Sequence, residues 1–299
     1  MHWLEAIGLG VLQGATEFLP VSSSGHLRIA GALFGQEEPD LLFDIILHLG
    51  TLLAVIVVYR KDLVGILAGI HEGVTKALRG GGLSGLFGPE GTRLAALIVL
   101  ATLPTAIIGK FLNDLVDSPF FSLPVVGGLL LVNGALLLSS RLAPTGRAEA
   151  GAEAAEEASP QRGGLLSLWN IGMWQALLIG VAQGIAVLPG ISRSGLTITV
   201  ALFLAVRRQE AARYSFLLSI PAILGALVLK LGEAAEKAGG LGGAEQWAQF
   251  GVGALASFLV GWVCLLVLMQ VLRRAQFHHF AWYCFGIGAL ALVWHFAGA

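Results

Sequence analysis

Six uninterrupted apolar stretches dominate this chain, and each approaches the length needed to cross a lipid bilayer. They run Phe43–Tyr59, Thr92–Leu112, Phe121–Ser140, Ala211–Leu229, Phe250–Leu272 and Phe280–Phe296. A membrane-crossing helix needs roughly 20 apolar residues, with about 17–25 tolerated. Composition agrees, because 56% of the 299 residues are hydrophobic and only 12% are charged, about half the charged share of a soluble domain. The 41 glycines are spread through the apolar runs, which suits closely packed membrane helices better than a soluble core. A net charge of −1 offers no basic surplus for gripping nucleic acid. Cys264 and Cys284 both sit inside apolar runs and provide neither a disulfide framework nor a metal-ligand spacing. Residues 1–12 carry Glu5 instead of a basic leader, and no A-x-A site precedes a polar mature domain. The first apolar run is therefore read as mature protein and not as a signal peptide.

Between the spans lie segments of different character. A Gly-rich, charged stretch separates Tyr59 from Thr92, and RLAPTGRAEAGAEAAEEASPQRGG, from Arg141, is biased to Ala, Glu, Pro and Gly as a solvated linker is. Gly232–Gly243 reads as a loop. Two further segments, Trp3–Phe34 and Trp169–Val206, are apolar but broken near the middle by a Pro followed by Ser and Gly. Each half is too short to cross comfortably. Backbone freed from a helix is tolerated at membrane depth only where protein or a water-filled cavity receives it. Both segments are therefore read as re-entrant helical hairpins.

Charge tests that topology. With the first hairpin opening outside and the second inside, Arg60, Lys61, Lys76, Arg79, Arg93, Arg141, Arg147, Arg162, Arg207, Arg208, Arg213, Arg273 and Arg274 fall inside. Only Lys110, Lys230 and Lys237 fall outside, while Arg28 and Arg193 lie within the hairpins. Both chain ends are then outside. The hairpins also match each other: QGATEFLPVSSSG (Gln13–Gly25) and QGIAVLPGISRSG (Gln183–Gly195) share Gln-Gly, Leu-Pro and Ser-x-Ser-Gly, with the Pro shifted by one residue. Their opposite orientation makes an inverted-topology repeat, an arrangement that places a site near the midplane where broken helices meet. The expected fold is thus an all-α integral membrane protein of six transmembrane helices plus two re-entrant hairpins. It forms one polytopic domain over 1–299, with repeat 1 at about 1–140 (hairpin 3–34), a cytoplasmic linker at about 141–168, and repeat 2 at about 169–299 (hairpin 169–206).

The breaks carry the chemistry. Glu17 is an ionisable residue in an apolar run, which is a functional hypothesis by default. Ser22, Ser23, Ser24 and Gly25 follow Pro20 and open a new helix, whose hydroxyls and free N–H groups suit an anion, above all a phosphate. Serine is also a common helix cap, the reading preferred for Ser24. His26 lies within one turn of Ser23 and is suited to take a serine proton or to give one to a leaving group. Arg193 occupies the position matching Ser23, and with Ser192, Ser194, Gly195 and Thr197 it forms a second phosphate-binding helix start. A buried structural ion pair is the competing reading of Arg193. Asp44 and His48, a turn apart on the first span, stand in reach of the same pocket, with a purely structural role as the alternative.

QGATEFLPVSSSGH and LPGISRSGLT resemble the two signature motifs of the undecaprenyl-pyrophosphate phosphatase family of the bacitracin-resistance type. The resemblance covers nearly the whole chain, including FLLSIPAILGA (Phe216–Ala226). It implies a polyprenyl-diphosphate phosphatase of the bacterial inner membrane that removes the terminal phosphate of C55 pyrophosphate and regenerates the envelope lipid carrier. It also implies six spans, two re-entrant hairpins, a pocket open to the periplasm and dependence on a divalent cation, Mg2+ or Ca2+. Carried residue by residue, its functional set is Glu17, Ser22, Ser23, His26 and Arg193, supported by Ser192, Ser194 and Thr197. Some members carry Glu at the first motif position, where this chain has Gln13. A carboxamide is a weaker ligand for a hard cation, which weakens a metal site at Gln13 and Glu17.

The expected mechanism is attack of Ser23 on the terminal phosphorus, with His26 or Glu17 taking its proton and Arg193 with the hairpin N–H groups holding the phosphate oxygens. Attack by His26, or by water activated at Glu17 or His26, stays open. The main competitor is a transporter that flips undecaprenyl phosphate, alone or combined with hydrolysis, because inverted repeats with paired hairpins are a transporter architecture. Type-2 phosphatidic-acid phosphatases share the fragments SGH and SR but need a downstream His with an Asp a turn later. After Arg193 the next histidines, His278 and His279, lack that Asp, which excludes the class. Expected partners are the polyprenyl pyrophosphate, membrane lipid and a second copy in a homodimer, and no nucleic acid.

Overall fold

The computed structural model describes residues 2–33, 41–116, 122–144, 171–237 and 243–298, and all regular structure among them is helical. Helix α1 (Trp3–Phe18) and α2 (Ser23–Leu33) flank the first break, and α8 (Met173–Ile185) and α9 (Arg193–Phe203) flank the second. Between them lie α3 (Leu41–Val58), α4 (Arg60–Lys76), α5 (Gly82–Phe87), α6 (Glu90–Val116) and α7 (Leu123–Ser139). The chain ends with α10 (Arg208–Lys237), α11 (Ala244–Arg273) and α12 (Phe280–Phe296).

Five stretches, in α6, α7, α10, α11 and α12, are long and apolar enough to cross a membrane. Helix α3 and the helical stretch Arg60–Phe87, bent away from it by 73°, make a sixth span if that pair is counted as one. Each coincides with an apolar run of the sequence. Pro104 in α6 and Pro221 in α10 lie inside spans. Thr105 donates to the Ala101 carbonyl and Ser219 to that of Phe216, so hydroxyls serve the backbone close to both prolines.

Two expectations change. The charged stretch after Tyr59 is not an open loop: the chain bends sharply at the end of α3 and continues as α4. The buried face of α4 is Asp62, Ile66, Gly69 and Gly73, a stripe at helical spacing made largely of small residues packed on α6. The loop expected at Gly232–Gly243 begins later, since α10 runs to Lys237 through Gly232 and Ala-rich sequence of high helix propensity. The 141–168 linker lies outside the described residues from Thr145 onward.

The hairpin helices are seated by glycine. Helix α1 packs along α11, and α8 packs along α6. A Cβ on Gly14 would stand 2.6 Å from the Ser257 carbonyl oxygen of α11, and one on Gly184 would stand 2.7 Å from Ile108 Cβ of α6. These small faces let backbones approach closely, the main source of helix association in lipid. Helix α7 packs on α12, and α3 on both α10 and α11, which closes the bundle around the two breaks. Phe18, at the end of α1, is fully buried edge-on against Phe216 of α10.

Candidate active site

Both breaks are short and tightly determined. In the first, α1 stops before Leu19, Ser22 adopts a left-handed backbone (φ +70°), and α2 begins at Ser23. Ser22 Oγ accepts from the Gly25 N–H at 3.3 Å, so Ser22, not the expected Ser24, supplies the cap. In the second, Ser192 caps α9 by accepting from the Gly195 N–H at 3.1 Å. Gly190 there has φ +106°, and a Cβ would meet Leu129 Cβ at 2.7 Å, so only glycine fits under α7.

The breaks are stitched to each other. The Gly190 N–H donates to Ser22 Oγ at 3.0 Å, and Ser194 Oγ donates to the Phe18 carbonyl at 3.0 Å. Asn133 of α7 spans both, donating from Nδ2 to the Pro20 carbonyl (2.9 Å) and accepting at Oδ1 from the Ser192 N–H (3.0 Å). These bonds bring two helix starts to one carboxylate. Glu17 is buried. Its Oε2 accepts from Ser23 Oγ at 2.6 Å and from Gln13 Nε2 at 3.1 Å, while its Oε1 accepts from Arg193 Nη2 at 2.6 Å. Charge-assisted bonds of this length are the strong ones, and Ser23 has its proton aimed at a base.

His48 comes within reach of the same carboxylate. Its Nδ1 bonds the Asp44 carbonyl at 2.8 Å and so carries the proton, which turns Nε2 toward Glu17 Oε2 at 3.8 Å. His26 is oriented by the same logic. Its Nδ1 donates to the Ser22 carbonyl (2.8 Å), leaving an Nε2 lone pair that accepts from the Tyr283 hydroxyl (2.9 Å), with the two rings stacked. His26 therefore faces α12, and Ser23 meets Glu17 instead. Tyr283 also lines an open cavity of about 410 Å³ together with Thr16, Leu19, Val21 and His279.

The remaining sequence candidates occupy the same place with their hydroxyls engaged: Ser24 and Ser22 with each other, Ser192 with Ser194, and Thr197 with the Arg193 carbonyl. Two buried polar atoms at the centre have no hydrogen-bond partner among the described residues, Arg193 Nη1 and Gln13 Oε1. An unsatisfied guanidinium N–H and an unsatisfied amide oxygen are what a phosphate and a hard cation respectively would fill. No three His, Cys, Asp or Glu side chains come together among the described residues. Gln13 Oε1 and the Glu17 carboxylate fit a cation only as part of a shell that phosphate oxygens complete, the usual manner for Mg2+.

Sequence reasoning missed Asn133 and Tyr283 and left His48 undecided. Asn133 carried a signal, being a lone amide inside a long apolar run; Tyr283 carried none.

The fold and site together define a multi-span membrane protein with an acidic, serine- and arginine-bearing centre at the junction of two broken helices. A family profile described as "Bacitracin resistance protein BacA" matches residues 6–290. A protein named undecaprenyl-diphosphatase from Desulfosudis oleivorans is 44% identical over 292 residues, covering 98% of each chain. Proteins of that name from Desulforapulum autotrophicum (40% over 295 residues, 98% of each chain) and Desulfatibacillum aliphaticivorans (41% over 298 residues, 99% of this chain and 100% of the relative) are similar throughout. This chain belongs to the bacitracin-resistance, or undecaprenyl-diphosphatase, family.

Proposed function

We propose that the chain is an undecaprenyl-diphosphatase, hydrolysing undecaprenyl pyrophosphate to undecaprenyl phosphate and inorganic phosphate. Full-length similarity to relatives of that name supports the reaction, and the single structural observation carrying it is the Ser23–Glu17–Arg193 constellation. A pure binding site has no need of a hydroxyl aimed at a carboxylate.

Each residue has its own part in the reaction. Ser23 Oγ attacks the terminal phosphorus while Glu17 takes its proton, and the bond to the bridging oxygen breaks to release undecaprenyl phosphate. Arg193, with its free Nη1, holds the equatorial oxygens where charge develops, and the N–H groups opening α2 face the same anion. Water then opens the phosphoserine: the Ser23 Oγ–P bond breaks, Ser23 takes back the proton held by Glu17, and the proton of the attacking water leaves with the released inorganic phosphate, while His26, held by the Ser22 carbonyl and Tyr283, fixes the start of α2. Gln13 and Glu17 would hold a divalent cation, which neutralises charge on the pyrophosphate when bound. Ser22, Ser192, Ser194 and Thr197 position the two helix starts through their caps and mutual hydrogen bonds.

The repeat architecture supports a central site. Matching positions are 170 residues apart in sequence, as in Gly14 and Gly184 or Gln13 and Gln183, and each hairpin packs on a span of the other half. In this reading α3, α6 and α7 answer to α10, α11 and α12, and α4–α5 is an insertion peculiar to the first half. In the same reading α4 and the 141–168 linker lie inside and the first hairpin's mouth outside, which the excess of basic residues in those segments supports, and the diphosphate is met at the outer face of the inner membrane.

Two experiments test this. Purified protein in detergent should release phosphate from C55 and C15 pyrophosphates with Mg2+ or Ca2+, and lose that activity with chelator. No release under any condition would leave a lipid-phosphate transporter as the better reading. For orientation, a cysteine at Gln36 should react with an impermeant maleimide on intact spheroplasts, and one at Ala155 only after lysis. Cys284 is fully buried, so only Cys264 need be removed for the background. The reverse labelling pattern would overturn the outward-facing site.

A further inference from the structure

Asn133 reaches both breaks from a third helix. It is fully buried in the interior of α7 and takes no part in the chemistry above. Each of its two polar atoms is committed to the backbone just ahead of a functional residue. Its Nδ2 holds the Pro20 carbonyl, three residues before Ser23; its Oδ1 holds the Ser192 N–H, next to Arg193. Nδ2 also lies 3.3 Å from Cys284 Sγ of α12, which leaves the amide little freedom to turn. The packing around it is equally tight, with Gly190 pressed under α7 and a Cβ on Gly195 reaching Asn133 Oδ1 at 3.2 Å.

The two hairpins contribute to one site from positions 176 residues apart in the Glu17–Arg193 pair. Lipid offers hairpins no hydrophobic force for mutual registration, so their register has to come from specific polar bonds and close packing. Ser22 and Ser194 supply bonds between the hairpins themselves. Asn133 ties both of them to the packed α7–α12 pair.

We propose that Asn133 is a positioning residue that sets the spacing of the two breaks, and through it the delivery of Ser23 and Arg193 to the same Glu17 carboxylate. Its kinetic effect rests on the phosphatase reading. A misplacement of about 1 Å between reacting groups costs on the order of 10²-fold in rate. Asn133→Leu, which loses both bonds, should therefore lower kcat/KM about 100-fold. Asn133→Asp is the conservative variant: as the neutral acid that a fully buried site favours, it keeps an acceptor for the Ser192 N–H and an O–H donor for the Pro20 carbonyl. It should stay within about 10-fold of the wild-type kcat, with KM near normal.

The deciding measurement is a double-mutant cycle. If Asn133 acts by delivering both groups, then Asn133→Leu should cost only the share that runs through Ser23, about 10-fold and not 100-fold, in an Arg193→Ala background. A full additional 100-fold loss there, or identical kinetics for the Asp and Leu variants, would reduce Asn133 to ordinary packing and overturn the proposal. A second cycle needs no turnover. Glu17→Gln should lower the melting temperature less in the Asn133→Leu background than in the wild type, because the Glu17–Arg193 pair is already loosened. Equal shifts in the two backgrounds would overturn the proposal even in a protein that releases no phosphate, whereas unequal shifts in such a protein would uphold it and count against the phosphatase reading alone.

Discussion

Glu17→Gln is expected to lower turnover about 10³-fold and to destabilise the protein at the same time. The kinetic loss follows from removing the base that faces Ser23, since a positioned general base contributes about 10²–10⁴-fold. The stability loss has a separate origin. Arg193 is largely buried, its Nη2 is paired with Glu17 Oε1, and its Nη1 already lacks a partner. Removing one member of a buried ion pair leaves the other uncompensated, at a cost of about 3–5 kcal/mol. The two effects can be separated by a second substitution. Glu17→Gln combined with Arg193→Met removes the stranded charge as well, so it should recover most of the melting temperature and none of the activity. The Glu17→Gln substitution should also flatten the response to added Mg2+, because the remaining amides are poor ligands for a hard cation. An unchanged metal titration beside lost activity would confine Glu17 to proton transfer. Retention of near-normal kcat would remove it from the chemistry altogether.

How far each element could be read from the sequence depends on the physics that forms it. The five long spans, and the bent pair that makes a sixth if counted as one, were legible because a bilayer demands apolar length, and no other constraint competes with it in a run such as Phe250–Leu272. The breaks were legible because Pro20 and Pro189 interrupt helices where Ser-x-Ser-Gly can begin new ones. Helix α4 carried a signal that was passed over: Leu63, Ile66, Leu67, Ile70 and Val74 recur at helical spacing. The glycines and charges between them made the segment look like a solvated connection, and two of those glycines, Gly69 and Gly73, are on the buried face of the helix. The candidate site was legible residue by residue, since Ser23 and Arg193 hold matched positions in the two motifs. Their convergence on a single carboxylate was not, because it depends on contacts between chain segments far apart in sequence. The same limit hid the orientation of His26. Proximity of His26 to Ser23 along α2 suggested a serine–histidine pair, whereas the ring is held by the Ser22 carbonyl and Tyr283. A helical spacing of three residues says that two side chains share a face, not that they meet.

Ser23→Ala should have the largest kinetic effect of any single change, about 10⁴-fold or more in kcat, while the fold is kept. An enzyme without its nucleophile keeps only binding and electrostatic stabilisation of the transition state. Here both survive, because Arg193 and the Glu17 carboxylate stay paired when the hydroxyl is deleted. The hydroxyl's bond to Glu17 is a single hydrogen bond to a charged group, so its loss should cost about 1.5–3 kcal/mol of stability, less than the stranded Arg193 charge of Glu17→Gln. The contrast with Glu17→Gln is the useful part: Ser23→Ala has the larger kinetic loss and the smaller loss of stability, and Glu17→Gln the reverse. The covalent step provides an independent readout. Wild-type protein quenched in neutral SDS, where both phosphoserine and phosphohistidine survive, during turnover of terminally 32P-labelled pyrophosphate should retain label on serine, and Ser23→Ala should retain none. Label on histidine would make His26 the nucleophile. Near-normal kcat in Ser23→Ala with no label on any residue would mean that water attacks directly, with Glu17 as its base.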